Sequence, residues 1–201
     1  MKRRTFLKEV VIVPAVVAAS EWYASAEAIV ARPVNITAVL YDERYADCRA
    51  FANVLERQGA TSFPTRGDAA RVWYGALRQS RTRTCGSVAG MVTYSDWAVS
   101  RACGREQGLR VAYEGSHDWR VSERLIHRLH GDGLERQVYC ALLQAETSWP
   151  EAVAGGLVRP LRGDAVGPAS SVAIADAVQI GPSTGHPGYL TSWRLDRPMC
   201  V

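Results

Sequence analysis

Short apolar runs alternate with amphipathic helical stretches between residues 34 and 113, and this alternation constrains the fold more than any other feature of the chain. Strand–helix–strand repeats joined by short turns are typical of a parallel sheet with helices on its faces. The sequence therefore predicts the α/β class, with three layers and a mostly parallel sheet. It leaves open whether the strand order is flavodoxin-like or Rossmann-like. The predicted elements are strands over 35–41, 61–65, 87–94 and 109–113 and helices over 42–58, 69–77 and 95–107.

The alternation stops after residue 117. Periodicity predicts a helix over 122–130 and a longer amphipathic helix over 134–149. Residues 172–180 and 189–194 are predicted to pair as an antiparallel hairpin. The glycine-rich loop between these two runs has neither dinucleotide-binding nor P-loop spacing.

These patterns predict one exported domain behind a leader. Residues 1–26 form the leader, and residues 27–201 form a single α/β domain. Within that domain, residues 27–121 are the predicted βαβ core. Residues 122–201 are a helical segment with a C-terminal hairpin extension.

Composition excludes several classes of protein. With 201 residues, 47% hydrophobic and 22% charged, the chain has ordinary globular composition. Its net charge is +4, of which residues 1–26 carry half, so the domain lacks the clustered positive charge expected of a nucleic-acid-binding protein. Lys2 and Lys8 are the only lysines. The domain therefore offers no lysine for a Schiff base, pyridoxal phosphate or a Walker-type phosphate loop.

The chain has five cysteines and no C-x-x-C pair, which argues against zinc ribbons and thioredoxin-type motifs. Cys48, Cys103 and Cys140 fall on predicted helices, where a free thiol behaves as a small hydrophobic group. Cys85 and Cys200 fall in predicted loop and tail. They are the better candidates for a disulfide.

The first 26 residues have the three parts of an export signal: a basic start, a short apolar run over 10–19, and the small residues Ala24 and Ala26. The apolar run is far shorter than the ~20 residues that span a bilayer. We therefore expect cleavage after Ala26. An uncleaved leader would tether the protein to the membrane.

Within this leader, the run Arg3-Arg4-Thr5-Phe6-Leu7-Lys8 resembles the twin-arginine (Tat) signal, with Lys2 where Ser or Thr is commoner. The resemblance covers the leader alone. It implies export of an already folded protein by the Tat translocase into the periplasm. Proteins with this signal often carry a redox cofactor or travel with a partner that carries one.

In an open parallel sheet, ligands bind beyond the carboxyl ends of the strands. Helices that begin at this edge also direct backbone N–H groups outward, which favours an anionic ligand. We therefore predict that polar side chains from four strands converge on one rim. The predicted ligand-binding residues are Tyr41, Arg44, Asp68, Tyr94, Ser95 and Asp118, and the predicted catalytic residues are His117 as acid/base with Asp42 and Asp96.

Each of these residues also has a structural interpretation. Asp42, Asp68 and either Ser95 or Asp96 sit where helix caps belong. Capping explains the aspartates more economically than a divalent metal site completed by His117. A Ser95–His117–Asp118 triad is poorly supported, because no glycine flanks Ser95 to form a nucleophile elbow.

Zinc at His127 and His130, three residues apart on the predicted 122–130 helix, would need further ligands that the sequence does not place nearby. We therefore predict no metal, and the sequence does not identify a cofactor. The five tryptophans of the domain are predicted to pack in the core or at an interface.

Two functions are compatible with these features. The first is a non-catalytic periplasmic accessory or binding protein that holds a small anionic ligand or partners a secreted oxidoreductase. The alternative is a small periplasmic hydrolase or lyase that uses His117 as acid/base.

Overall fold

The structure is a computed structural model. It describes residues 35–80, 86–119, 125–131, 133–145, 148–158, 173–176 and 187–198, with backbone only for 173–176. All of these belong to the unit Arg32–Val201. The predicted leader and the predicted Cys85–Cys200 disulfide lie outside the described residues. None of the helices within the described ranges is long and apolar enough to cross a membrane.

The described residues form an α/β fold around a mixed seven-stranded sheet with the order β2-β1-β3-β7-β4-β5-β6. The strands are β1 (Ile36–Tyr41), β2 (Thr61–Pro64), β3 (Ser87–Val92), β4 (Arg110–Asp118), β5 (Ile126–Gly131), β6 (Ala173–Asp176) and β7 (Tyr189–Asp196). The helices are α1 (Ala46–Arg57), α2 (Ala69–Tyr74), α3 (Ala76–Gln79), α4 (Tyr94–Glu106), α5 (Leu134–Leu143) and α6 (Trp149–Val158).

The prediction of a mostly parallel sheet holds only on one side. β1 is parallel to β2 and to β3, whereas β7 is antiparallel to both β3 and β4, and β5 is antiparallel to both β4 and β6. Because β3 and β4 are both antiparallel to β7, they point the same way. The carboxyl ends of β1, β2, β3 and β4 therefore meet at one edge of the sheet.

The predicted C-terminal hairpin is wrong. Both strands form, but β6 pairs with β5, and β7 is inserted between β3 and β4 in the middle of the sheet. Local alternation identifies a strand but carries no information about its partner, and a hairpin between neighbouring runs was the simplest assumption.

The predicted helix over 122–130 is also wrong where the structure describes it, because Ile126–Gly131 is strand β5. Buried and more exposed residues alternate along β5, with His127 and Leu129 buried and His130 exposed. A two-residue period is that of a strand. His127 and His130 consequently lie on opposite faces of the sheet, so they do not share the helix face that a zinc site at these two residues would need.

The helix starts correct two of the three predicted caps and confirm the third. Tyr45, not Asp42, is the N-cap residue of α1, and Thr93, not Ser95 or Asp96, is the N-cap residue of α4. Asp68 does cap α2, since its Oδ1 accepts a hydrogen bond of 3.0 Å from the backbone N–H of Arg71. Gly75 then divides the predicted 69–77 helix into α2 and α3.

The core has two hydrophobic clusters, and alternate residues of one strand belong to different clusters. On β1, Val39 belongs to the cluster with α1, α5 and α6, whereas Leu40 belongs to the cluster with α2 and α4. The predicted core role of the tryptophans is confirmed for the four buried ones. These are Trp73, Trp97, Trp149 and Trp193.

Candidate functional site

An open cleft of about 490 Å³ lies at the edge where the parallel strands end. One wall is the turn from β3 into α4, and the other is the start of β7, which pairs with β3 and brings Tyr189 to this edge. The residues that line the cleft are Thr93, Tyr94, Ser95, Pro187 and Tyr189.

The cleft combines hydroxyl groups with two aromatic rings. Thr93 Oγ1 and Ser95 Oγ lie 3.1 Å apart at the start of α4. The rings of Tyr94 and Tyr189 meet edge to face, with centroids 6.2 Å apart and planes at 80°. Tyr94 is 62% exposed although its ring is large and partly apolar. This arrangement can hold a small ligand between a ring face and polar donors.

Backbone N–H groups in the first turn of α4 add to these donors. The first four N–H groups of a helix lack partners within the helix, and the positive end of the helix dipole lies there. Thr93 has an extended conformation and makes no side-chain capping bond to α4. The start of α4 therefore favours negative charge in the cleft.

A second polar cluster follows β1 at the same edge. Asp42 is fully buried, and Arg44 binds its carboxylate through Nε to Oδ1 at 2.9 Å and Nη2 to Oδ2 at 2.6 Å. The guanidinium lies against Gly67, whose φ is +81° and where a Cβ would come within 2.7 Å of Arg44 Nη2. The carboxylate raises the pKa of Arg44 further. The ion pair thus occupies both groups.

Asp96 connects α4 to the start of α2. Its carboxylate accepts hydrogen bonds from Thr65 Oγ1 at 3.0 Å and from the backbone N–H of Ala69 at 3.3 Å. Burial raises the pKa of Asp96, as does the charge of Asp42, while the two hydrogen bonds act in the opposite direction. The role of Asp96 in these contacts is to join two helices.

His117 lies on the other face of the sheet. Its Nε2 is 2.7 Å from Ser192 Oγ, and its ring lies 4.6 Å from that of Trp149 on α6. Along β7, the next residue, Trp193, points the opposite way and stacks on Trp97 of α4. Asp96 also belongs to α4, so the sheet separates the two predicted catalytic groups.

His117 belongs to a buried chain of four polar side chains on three neighbouring strands. Its Nδ1 is 2.5 Å from Nδ1 of His127, and Ser192 Oγ is 3.2 Å from the Tyr113 hydroxyl. All four side chains are fully buried. Burial lowers the pKa of His127 to about 4 and raises that of Tyr113.

The Ser192–His117–His127 part of this chain has the connectivity of a nucleophilic triad. None of the three side chains has exposed surface, however, and a nucleophile must touch its substrate. In this conformation the array holds strands together.

The structure brings some of the predicted site residues together and separates others. Tyr94 and Ser95 line the cleft, and Asp42, Arg44 and Asp96 form the neighbouring polar clusters. Asp118 is buried where β4 ends, in register with Tyr189 of the cleft. Three others lie elsewhere: Asp68 caps α2, Tyr41 packs with the α1-side core, and His117 lies across the sheet.

Sequence reasoning missed Pro187 and Tyr189 because it placed β7 in a peripheral hairpin. It missed the partnership of His117 with His127 because the segment around His127 was taken for a helix. A two-residue period over 126–131 was the signal that could have found it.

Among the described residues, no group of three or more His, Cys, Asp or Glu side chains could hold a metal ion. No known protein family, curated protein or solved structure matches the chain.

Proposed function

We propose that the chain is an exported, non-catalytic binding protein that holds a small anionic ligand in the cleft at the start of α4. The observation that carries the proposal is the cleft itself, at the edge where open parallel strands bind ligands. In this proposal the fold has three layers, with helices on both faces of the sheet, and the cleft opens at the end of the layers. Residues 1–26 serve as a Tat-type leader, and the mature protein works in the periplasm.

The chemistry of the lining supports a ligand with an anionic group and a flat or apolar body. Ser95 and Thr93 offer hydroxyl donors beside the positive end of the α4 dipole. Tyr94 and Tyr189 offer ring surface at a right angle, which can contact a ligand on two sides. Clefts that bind small molecules combine such apolar surface with a few polar groups.

An unsatisfied polar group near this edge also supports the proposal. Thr191 follows Tyr189 by two residues on β7 and so lies on the same face of the strand. Its Oγ1 is buried and has no hydrogen-bond partner among the described residues. Buried hydroxyl groups usually have a partner, and a bound water or ligand atom would supply one.

The alternative, a hydrolase or lyase that uses His117, has less support. His117 exposes no surface, and Asp42 and Asp96 are engaged by Arg44 and by Thr65 and Ala69. A partnership with a secreted oxidoreductase is compatible with the binding proposal, since the partner could deliver or receive the ligand.

Ligand binding is tested by titrating purified mature protein with aromatic carboxylates, aliphatic carboxylates, organic phosphates and sulfate, with calorimetry as the measurement. We expect one of these classes to bind. Tyr94→Ala should weaken that binding by at least about tenfold, a loss of about 1.4 kcal/mol. Tyr74→Ala is the matched control, because Tyr74 is also an exposed helical tyrosine but does not line the cleft, and its hydroxyl donates to Glu106 at the opposite end of α4.

Failure of every class to bind, or an equal loss in both tyrosine variants, would refute the binding proposal. Export is tested separately by native mass spectrometry of periplasmic material. A chain that begins at residue 27 is expected, and an intact Met1 would contradict the leader. The same spectra would reveal a retained ligand or a companion protein.

A further inference from the structure

The buried array of polar side chains on the α6 side of the sheet has no part in the proposed cleft. Four side chains from three strands, Tyr113 on β4, Ser192 on β7, and His117 and His127 on β4 and β5, form consecutive contacts of 3.2, 2.7 and 2.5 Å. Trp149 of α6 covers the two imidazoles at ring distances of 4.6 and 5.3 Å. This hydrogen-bonded array of four side chains therefore links β4, β5, β7 and α6.

Gly115 of β4 leaves the space that this array of side chains needs. A Cβ on Gly115 would lie 2.3 Å from the Tyr113 hydroxyl oxygen and 2.8 Å from Ser192 Oγ. Any side chain here would separate the two hydroxyl groups. Only glycine at this position leaves room for the contact.

The contact between the imidazoles limits how many protons they hold. Two nitrogens that face each other at hydrogen-bond distance share one proton, because one must donate and the other accept. When both rings are neutral, one ring carries its proton on Nδ1 and the other carries its proton on Nε2. If both rings became charged, two N–H groups would face each other, and the contact between His117 and His127 would break.

Even a single added proton is costly at this site. Charge in a buried, apolar position is unfavourable unless it is paired and hydrogen-bonded. Nε2 of His127 has no hydrogen-bond partner among the described residues, so a proton there would donate to nothing. Trp149, whose ring lies 5.3 Å from that of His127, offers no carboxylate to this nitrogen.

The charged and titratable groups that face the pair are those on the same side of the sheet, because Glu114 and Asp118 of β4 and Arg128 and His130 of β5 alternate with the pair and point the other way. Tyr113 on β4 stays neutral, since burial raises its pKa. Arg194 on β7 is engaged by Asp196 and by the carbonyl of Leu157. On the described helices that cover this face, Glu135 of α5 and Glu151 of α6 each have a carboxylate oxygen that is inaccessible to solvent. The other ionisable side chains of these helices are Asp47, Cys48, Arg49, Glu56 and Arg57 of α1 and Arg136, Tyr139 and Cys140 of α5.

We propose that the His117–His127 pair is an acid-sensitive latch: while neutral it holds β5 and α6 against β4 and β7, and protonation in acidic solution releases them. The direction of the pH dependence of stability follows from proton binding. The unfolded imidazoles take up protons near the ordinary histidine pKa of about 6.5, whereas the folded pair resists uptake to lower pH. The latch therefore contributes its full stability above pH ~6.5 and loses it as the pH falls towards 4.

The test is urea unfolding of the mature protein at pH 7.5, 6.0 and 5.0, with His127→Gln and His130→Gln as matched variants on one strand. His130 is exposed on the opposite face of β5. Between pH 7.5 and 5.0, the unfolding equilibrium constant of the wild type and of His130→Gln should rise roughly tenfold to thirtyfold more than that of His127→Gln. The same pH dependence in all three proteins would overturn the latch.

If His127→Gln does not fold, the wild-type protein still decides the question. Nitrogen-15 spectra of the imidazoles should show His127 neutral at pH 5.5, with one Nδ1 proton shared with His117. A His127 ring that titrates near pH 6.5 while the β5 backbone signals stay unchanged would overturn the proposal. The latch does not depend on ligand binding in the cleft, so either proposal can fail alone.

Discussion

Two adjacent glycines on α6 provide a sharp test of how the α5–α6 contact is built. A Cβ on Gly156 would come within 2.7 Å of Val138 Cα and 3.0 Å of both its backbone nitrogen and its Cγ2. A Cβ on Gly155 would meet nothing within 4 Å. The two positions share a helix and a residue type, so Gly156→Ala and Gly155→Ala differ only in what the new methyl group meets.

The expected magnitudes follow from two opposing terms. Replacing a helical glycine with alanine stabilises the helix by about 0.8–1.0 kcal/mol, and this gain applies to both variants. At Gly156 the methyl group meets the backbone of α5, which cannot rotate away, and overpacking of this kind costs typically about 1–3 kcal/mol. Gly155→Ala should therefore stabilise the protein, and Gly156→Ala should be less stable than Gly155→Ala by about 1–3 kcal/mol.

The assay is equilibrium urea unfolding of both variants and the wild type at pH 7.5, followed by tryptophan fluorescence. Trp149 at the start of α6 is buried and reports on this contact. Two variants stabilised by the same amount would show that α5 and α6 do not approach at Gly156. Thermal unfolding gives an independent check on the order of stability.

Three further predictions concern single groups. Asp68→Ala removes the capping hydrogen bond to Arg71 and should cost about 1 kcal/mol in the free energy of unfolding, whereas Asp68→Asn should keep most of it. Burial raises the pKa of Asp96, so its charged form is disfavoured in the folded protein, and Asp96→Asn should be at least as stable as wild type near pH 7. This advantage should shrink as the pH falls and Asp96 itself becomes protonated. A large loss of stability in Asp96→Asn at neutral pH would contradict the prediction. Burial raises the pKa of the Cys48 thiol, so maleimide should label the exposed Cys140 in native protein within minutes and reach Cys48 only after denaturation, as peptide mapping would show.

Local patterns predicted the first half of the fold because its elements are consecutive in both sequence and space. Strands β1, β2 and β3 are joined by helices and pair in parallel, as strand–helix–strand repeats indicate. The second half could not be predicted in this way. β7 pairs with strands about 75 and 105 residues earlier in the chain, and a strand's own residues do not reveal such distant partners.

The residues of the candidate site were likewise predicted correctly only where they follow a parallel strand. Tyr94 and Ser95 were found because the residues that follow a parallel strand must lie at its carboxyl end. His117 was also assigned to this edge, but it lies within β4, one residue before the strand ends, and its side chain points to the opposite face. The length of β4 was underestimated at its carboxyl end, where the run 114–118 contains mostly polar residues.

The sequence of β7 does not reveal its central position in the sheet, and the reason is physical. It is buried on both faces, and strands of this kind usually read as continuous apolar runs. Here Thr191, Ser192 and Arg194 interrupt the run, although each is nearly inaccessible to solvent. Ser192 is satisfied by His117 and Tyr113 of β4, and Arg194 by Asp196 at the end of β7 and by the carbonyl of Leu157 on α6, so both polar residues depend on at least one partner from another element. The same strand also brings Tyr189 to the cleft, and the position of β7 between β3 and β4 therefore builds both the proposed binding site and the proposed latch.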